Sequence, residues 1–286
     1  MFWLIRMLMR VVKWVVLHIV SVAVIVVLIV LAALVISRMT PLDEFYRARA
    51  YAKVGDYKNA EQWYRKGLEA HPESRYAPQA RYELGTLLLE QKRYNEALAQ
   101  FQAALGKLTD DERRAKVLIS IGDCYANMKK WDAAASSYMR AVRECRLDEA
   151  GAATALFRAG QCYEGAGNFS AAGSAYRKAF EEHPTAPDAP KALLAYADLL
   201  CKLGKHERAI ENYNLLIKRY SNSDEAVIGR LHLARAYEAQ RDYKSAITAL
   251  LDFMRHSPRL ARSAAYRQLL DSAKAQLKRL KGYDER

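Results

Sequence analysis

The apolar positions of residues 41–258 repeat one arrangement six times, with successive copies 37 or 38 residues apart. In the first copy Ala48 and Tyr51 stand three apart on one helix face, and Gly55-Asp56-Tyr57 then breaks the run. Ala60, Tyr64 and Gly67 follow at i, i+4 and i+7, a second helical face that stops at His71-Pro72. Thr40 predicts an N-cap with Pro41 in the first helical slot, and Asp43 supplies half of a capping box. Two helices this short leave an apolar face bare. Each pair therefore requires a neighbour.

The later copies keep these offsets. Gly85, Leu88, Tyr94, Ala97, Phe101 and Ala104 make the second, and Gly122, Tyr125, Trp131, Ala134, Tyr138 and Ala141 the third. The fourth runs from Gly160 and Tyr163 through Phe169, Ala172, Tyr176 and Ala179 to Pro184. The fifth loosens, with Ala197, Leu200, Gly204, His206, Ala209, Tyr213 and Leu216. The sixth closes on Ala234, Tyr237, Tyr243, Ala246, Leu250, Phe253 and Pro258. Gly or Ala is expected where the two helix backbones approach, with the aromatic rings filling the gap beyond. A further helix is predicted from about Arg259 to Lys281, where Leu269, Leu270, Ala273 and Leu277 alternate with polar residues. Residues 259–286 thus read as a solvating cap, with exchange of this helix into a second copy of the chain as the alternative.

The small-then-aromatic pair, the turn aromatic, the Ala-x-x-x-aromatic helix and the closing Pro together resemble the tetratricopeptide repeat over residues 41–258. The period is longer than the usual 34 of that family, and its early Trp is missing. The connections His71–Ala80 and His183–Pro190 are similar to linkers of its bacterial envelope members, the outer-membrane assembly lipoprotein and the Tol–Pal coordinator protein. The lipid-bearing Cys and the coiled coil of those proteins are absent here. The resemblance implies an all-α solenoid of six helix pairs plus a C-terminal capping helix. It also implies a concave groove, lined by the first helices, that holds a protein or peptide.

Upstream of the repeats, Trp14–Ser37 is a run of 24 residues without Asp, Glu, Lys or Arg. At about 1.5 Å per residue it spans a hydrocarbon core of roughly 30 Å. No small-x-small cleavage site follows, and no Cys invites lipidation. Residues 14–37 are therefore expected to be an uncleaved transmembrane anchor in the lipid bilayer, behind a short basic tail, 1–13. Arg6, Arg10 and Lys13 favour retention of that tail inside, with the repeats beyond the inner (cytoplasmic) membrane. Arg38, Arg47, Arg49 and Lys53 on the other side leave the cytoplasmic orientation as the alternative.

Composition changes this picture little. The net charge of +13 is spread along the helices, which fits a solvated basic surface and makes binding to an anionic polymer or lipid surface the second functional reading. No interleaving of basic and aromatic residues points to nucleic acid. Cys124, Cys145, Cys162 and Cys201 lack paired spacing and read as packed thiols. His206-Glu207 has no second His at zinc-protease spacing, and Gly165-Ala166-Gly167 follows no strand. Asn168-Phe169-Ser170 is a formal sequon that coincides with a repeat turn. No catalytic grouping, metal site or cofactor is expected.

The candidate site is the groove. One row of the first helices is apolar, with Phe45, Tyr82, Ile119, Phe157, Leu194 and Leu231. One turn on lie Arg49, Thr86, Asp123, Gln161, Asp198 and Arg235, whose mixed chemistry packing does not require. From these rows Phe45, Arg49, Tyr82, Thr86, Asp123, Phe157, Gln161, Asp198 and Arg235 are the expected partner contacts. The co-chaperone members of the family clamp a terminal carboxylate with a Lys/Asn/Arg set, and Arg49 and Thr86 stand where Asn would be needed. The expected function is a membrane-anchored interaction scaffold of the bacterial envelope, not an enzyme.

Overall fold

A computed structural model of the chain describes residues 42–257 and 266–284, together with residues 7, 14, 18, 20, 22–29 and 31. Among the described residues every regular element is helical. From residue 42 the helices are α1 (Leu42–Lys53), α2 (Tyr57–Ala70), α3 (Ala77–Glu90), α4 (Tyr94–Leu105), α5 (Asp111–Asn127), α6 (Trp131–Glu144) and α7 (Glu149–Gly165). They continue as α8 (Phe169–Glu181), α9 (Ala189–Lys202), α10 (His206–Arg219), α11 (Asp224–Ala239), α12 (Tyr243–His256) and α13 (Tyr266–Asp284). The chain forms two compact units, Met1–Gln91 and Lys92–Arg286.

In the first unit α1 packs on α2 and α2 on α3. The Asp56 side chain caps α2 by accepting from the Asn59 N–H at 3.2 Å. Phe45 is buried against Gly67, where an added Cβ would stand 2.7 Å from the ring. Pro78 opens α3 instead of lying in the linker, since its missing N–H is tolerated in a first helical turn. The expected cap at Thr40 and Pro41 lies outside the described residues.

Within the second unit successive helices from α4 to α13 pack on one another, and α9 also touches α7 and α11. Asp110, Asp148, Asn168, Ser223 and Asp242 each accept a backbone N–H three residues on, which satisfies a free helix-end donor. Asn168 of the sequon is thus an N-cap. The crossing points are as tight as the small residues predict. A Cβ at Gly122 would lie 2.6 Å from the Tyr138 ring, and one at Gly160 would lie 2.5 Å from Tyr176. Pro190 opens α9 as Pro78 opens α3.

The turn inside each repeat holds one residue at positive φ: Gly55, Lys92, Lys129, Gly167, Gly204 and Arg241. These recur every 37 or 38 residues, so the period of the pattern is a period of backbone geometry as well. At the C-terminal end α13 packs on α12 and buries Ala273 and Leu280. Leu269 and Leu277 join the same core. The start of that helix expected at Arg259 lies outside the described residues.

Residues 22–29 are helical. Val22 and the run Val24–Ile29 are each between 52% and 61% exposed, apolar without a buried face. Among the described residues no helix is long and apolar enough to cross a membrane, and the expected span 14–37 falls partly outside them.

Candidate functional site

The carboxylates of the first helices are held by hydrogen bonds. Asp123 of α5 accepts at Oδ1 from the Tyr138 hydroxyl at 2.5 Å and from Arg158 Nη1 at 2.5 Å. Asp198 of α9 accepts at Oδ1 from Tyr213 at 2.6 Å and meets His232 Nδ1 at 2.7 Å. Glu164 of α7 accepts from Tyr176 at 3.2 Å and from Lys202 Nζ at 3.1 Å. One rule covers all three. An acid on the first helix takes a tyrosine from the second helix of its own repeat and a basic group from the first helix of the next.

At the end of the array Glu238 keeps the cross-repeat half of the rule without the tyrosine: Gln276 of α13 donates to it at 2.6 Å and Arg279 pairs with it. In the first unit Glu83 of α3 accepts from Tyr64 of α2 at 3.0 Å, Arg49 of α1 at 2.8 Å and Gln79 at 2.9 Å. Burial raises the pKa of the Tyr64, Tyr138, Tyr176 and Tyr213 hydroxyls, and the adjacent carboxylates raise it further. Burial alone would lower Arg158, but the Asp123 charge outweighs it and the pKa rises.

The polar row is therefore not free of packing duties, as the sequence pattern suggested. Arg49, Asp123 and Asp198 tie helices together, because a partly buried charge needs an internal partner. Phe45 is a core residue and not a groove contact, since its ring fills the space beside Gly67. Thr86 donates to the carbonyl of Tyr82 within α3 at 3.0 Å. Phe157 packs on Tyr176 with ring centres 5.9 Å apart. Gln161 and Arg235 are exposed, and neither side chain has a hydrogen bond or ion pair among the described residues. Beside Arg235 lies a cavity of about 250 Å³ lined by Asp198, Cys201, His206, Tyr213 and His232.

Residues 37–158 match the model of a tetratricopeptide repeat-like domain, and residues 164–224 and 194–258 match that of the tetratricopeptide repeat. The chain is a tetratricopeptide repeat protein. Its fold is the all-α solenoid type of that family. It is similar to the C-terminal part of a TPR repeat-containing protein from Cytophaga hutchinsonii, with 19% identity, a TM-score of 0.64, and 81% of this chain and 88% of that chain covered. A tetratricopeptide repeat protein from Parabacteroides merdae aligns with 17% identity and a TM-score of 0.57, over 85% of this chain and 93% of that one. YrrB, described as a TPR protein with an unusual peptide-binding site, aligns with 20% identity and a TM-score of 0.53, over 70% and 96%. No curated protein matches the sequence.

Two further properties bear on chemistry in this tetratricopeptide repeat protein. Among the described residues no three His, Cys, Asp or Glu side chains are grouped to hold a metal ion. The four cysteines are free, and burial pushes the Cys124 and Cys162 thiols up to about 11, which keeps them protonated at neutral pH. Each of these acid–tyrosine–base groups latches one repeat to the next, and their members Glu83, Glu164, Arg158 and His232 were missed by sequence reasoning. For Glu164, Arg158 and His232 the signal was available, as an acid 12 to 15 residues before a second-helix Tyr and 34 to 38 before a basic residue, whereas the partners of Glu83 precede it, Tyr64 by 19 residues and Arg49 by 34.

Proposed function

We propose that this protein is a membrane-anchored scaffold of the bacterial envelope whose first-helix face binds an extended segment of a partner protein. The observation that carries the reading is the combination of locked carboxylates with free polar groups in the second unit. Asp123 and Asp198 keep partly exposed carboxylates in fixed positions, while the exposed side chains of Gln161 and Arg235 have no partner among the described residues. Polar groups on rigid helices, oriented by internal hydrogen bonds, lose little conformational entropy when a peptide binds. The unusual peptide-binding site of YrrB supports the same reading by analogy of fold. Anchoring rests on the charge-free run 14–37, the all-round exposure of the helical residues 22–29 and the basic tail before them. An anchor raises the local concentration of a membrane-bound partner without new contacts.

Capture of partners from native membranes by the full chain tests the groove. Gln161→Ala combined with Arg235→Glu is expected to reduce capture at least fivefold without loosening any latch. Capture indifferent to both changes would sink the groove reading. Retention in the bilayer after alkaline carbonate washing tests the anchor, and labelling of an engineered cysteine in α13 from outside intact cells reads the orientation.

A further inference from the structure

The first residue of the second helix is aromatic in five repeats, namely Tyr57, Tyr94, Trp131, Phe169 and Tyr243. In the fifth repeat it is His206. In the second unit three of these rings meet the end of the next repeat's first helix. The Tyr94 hydroxyl reaches Asn127 Oδ1 at 3.5 Å. The Trp131 ring lies where a Cβ on Gly165 would stand 3.0 Å away. Lys202 Nζ sits 4.8 Å from the centre of the Phe169 ring. Asn127, Gly165 and Lys202 follow one another at 38 and 37 residues, and the next position in that series is Ala239.

Ala239 and His206 both line the cavity of about 250 Å³ described above. The cavity thus falls where the other junctions place a larger ring, and the smaller imidazole leaves that room unfilled. His206 is half-buried, and its Nδ1 has no hydrogen-bond partner among the described residues. Both protein bonds to Asp198 fall on Oδ1, so Oδ2 keeps its acceptor capacity. The side chains of Tyr213 and Ala236 supply apolar wall, and Arg235 has no ion pair among the described residues.

We infer that this cavity receives a tryptophan side chain of the partner, which completes in trans the row of rings that His206 interrupts. The inference rests on the groove reading and deepens it. A cationic guest would face Arg235, and an anionic guest would face Asp198. A neutral indole meets neither penalty. Its N–H is donor-only and finds an acceptor in Asp198 Oδ2, while its face accepts the Arg235 guanidinium as the Phe169 ring accepts Lys202.

The test is a fluorine NMR titration of the full chain in amphipol with 5-fluoroindole. A saturable shift is expected. His206→Trp, which fills the cavity from within, and Ala239→Phe, which fills it from the facing helix, are each expected to weaken the binding at least tenfold. Fluorobenzene is expected to bind at least tenfold more weakly than the indole. An unsaturable response common to all three proteins overturns the assignment, and equal affinity for fluorobenzene overturns the role given to Asp198 as the N–H acceptor. The titration reads the cavity and membrane capture reads the groove. Capture lost on Gln161/Arg235 substitution without indole binding therefore rejects the cavity alone, and the converse rejects the groove alone.

Discussion

Two repeat junctions of the second unit solve the same packing problem with different residues. Within the third repeat Gly122 admits the Tyr138 ring, and at its junction with the fourth Asp123 is tied to Arg158 and Trp131 fills the space beside Gly165. Between the fifth and sixth, Ala197 takes the place of Gly122, Asp198 is tied to His232, and His206 leaves a cavity beside Ala239. The first junction is closed by a large ring over small residues. The second is held by equivalent polar bonds but is underfilled. The latch and the packing of a junction are therefore separable, and an underfilled junction gains binding capacity without losing its register.

The comparison is broken most severely by crowding the closed junction. Gly122→Ala places a methyl 2.6 Å from the Tyr138 ring, and it is expected to lower stability by about 1–3 kcal/mol in urea unfolding. Ala197→Gly at the open junction is expected to cost only about 1 kcal/mol, through helix propensity. Converting one junction to the other is next. Trp131→His removes a half-buried ring beside Gly165, with an expected cost of about 2 kcal/mol by the same measurement, and it should create a second indole site.

The tyrosine latches give a pH test that both junctions share. The folded-state pKa of Tyr138 and Tyr213 is raised above the unfolded value of about 10. Their contribution is complete below that pH and is lost as pH rises through the range above it. The unfolding free energy from urea titration is expected to fall from pH 10 to 12, by up to about 1.4 kcal/mol per pH unit for each latched tyrosine. Tyr138→Phe should remove the part of that slope that belongs to its junction.

The smallest expected effect concerns the turns. The closed junction's repeat turns on Lys129 at φ 57° and the open junction's on Gly204 at φ 70°. Lys129→Gly is expected to stabilise by about 1 kcal/mol, because a side chain there strains the left-handed conformation. Gly204→Ala should destabilise by a similar amount. Opposite signs in thermal unfolding would confirm that these turns are geometrically equivalent.

The helical register was plain in the sequence because it depends on contacts within a repeat. The spacing of Gly122 from Tyr138 and of Gly160 from Tyr176 announces one ring over one small residue each time. The candidate site was less legible. Asp123 and Asp198 read as free recognition groups, since nothing local to α5 or α9 marks their bonds to Arg158 and His232. Those partners are 34 and 35 residues away, and pairing them requires knowing which faces of successive first helices meet. Phe45 was misjudged for a related reason, because its position in the apolar row matched Phe157 while its neighbour Gly67 drew it into the core.

By itself the sequence determined the helices, their turns and the repeat family, because hydrophobic period, caps and small residues act over a few positions along the chain. Only the tertiary structure decided which polar side chains are spent on holding repeats together and which remain for a partner. It also decided that His206 leaves room where other repeats carry a ring. Those outcomes depend on the distance between segments one whole repeat apart, which no local pattern of residues encodes.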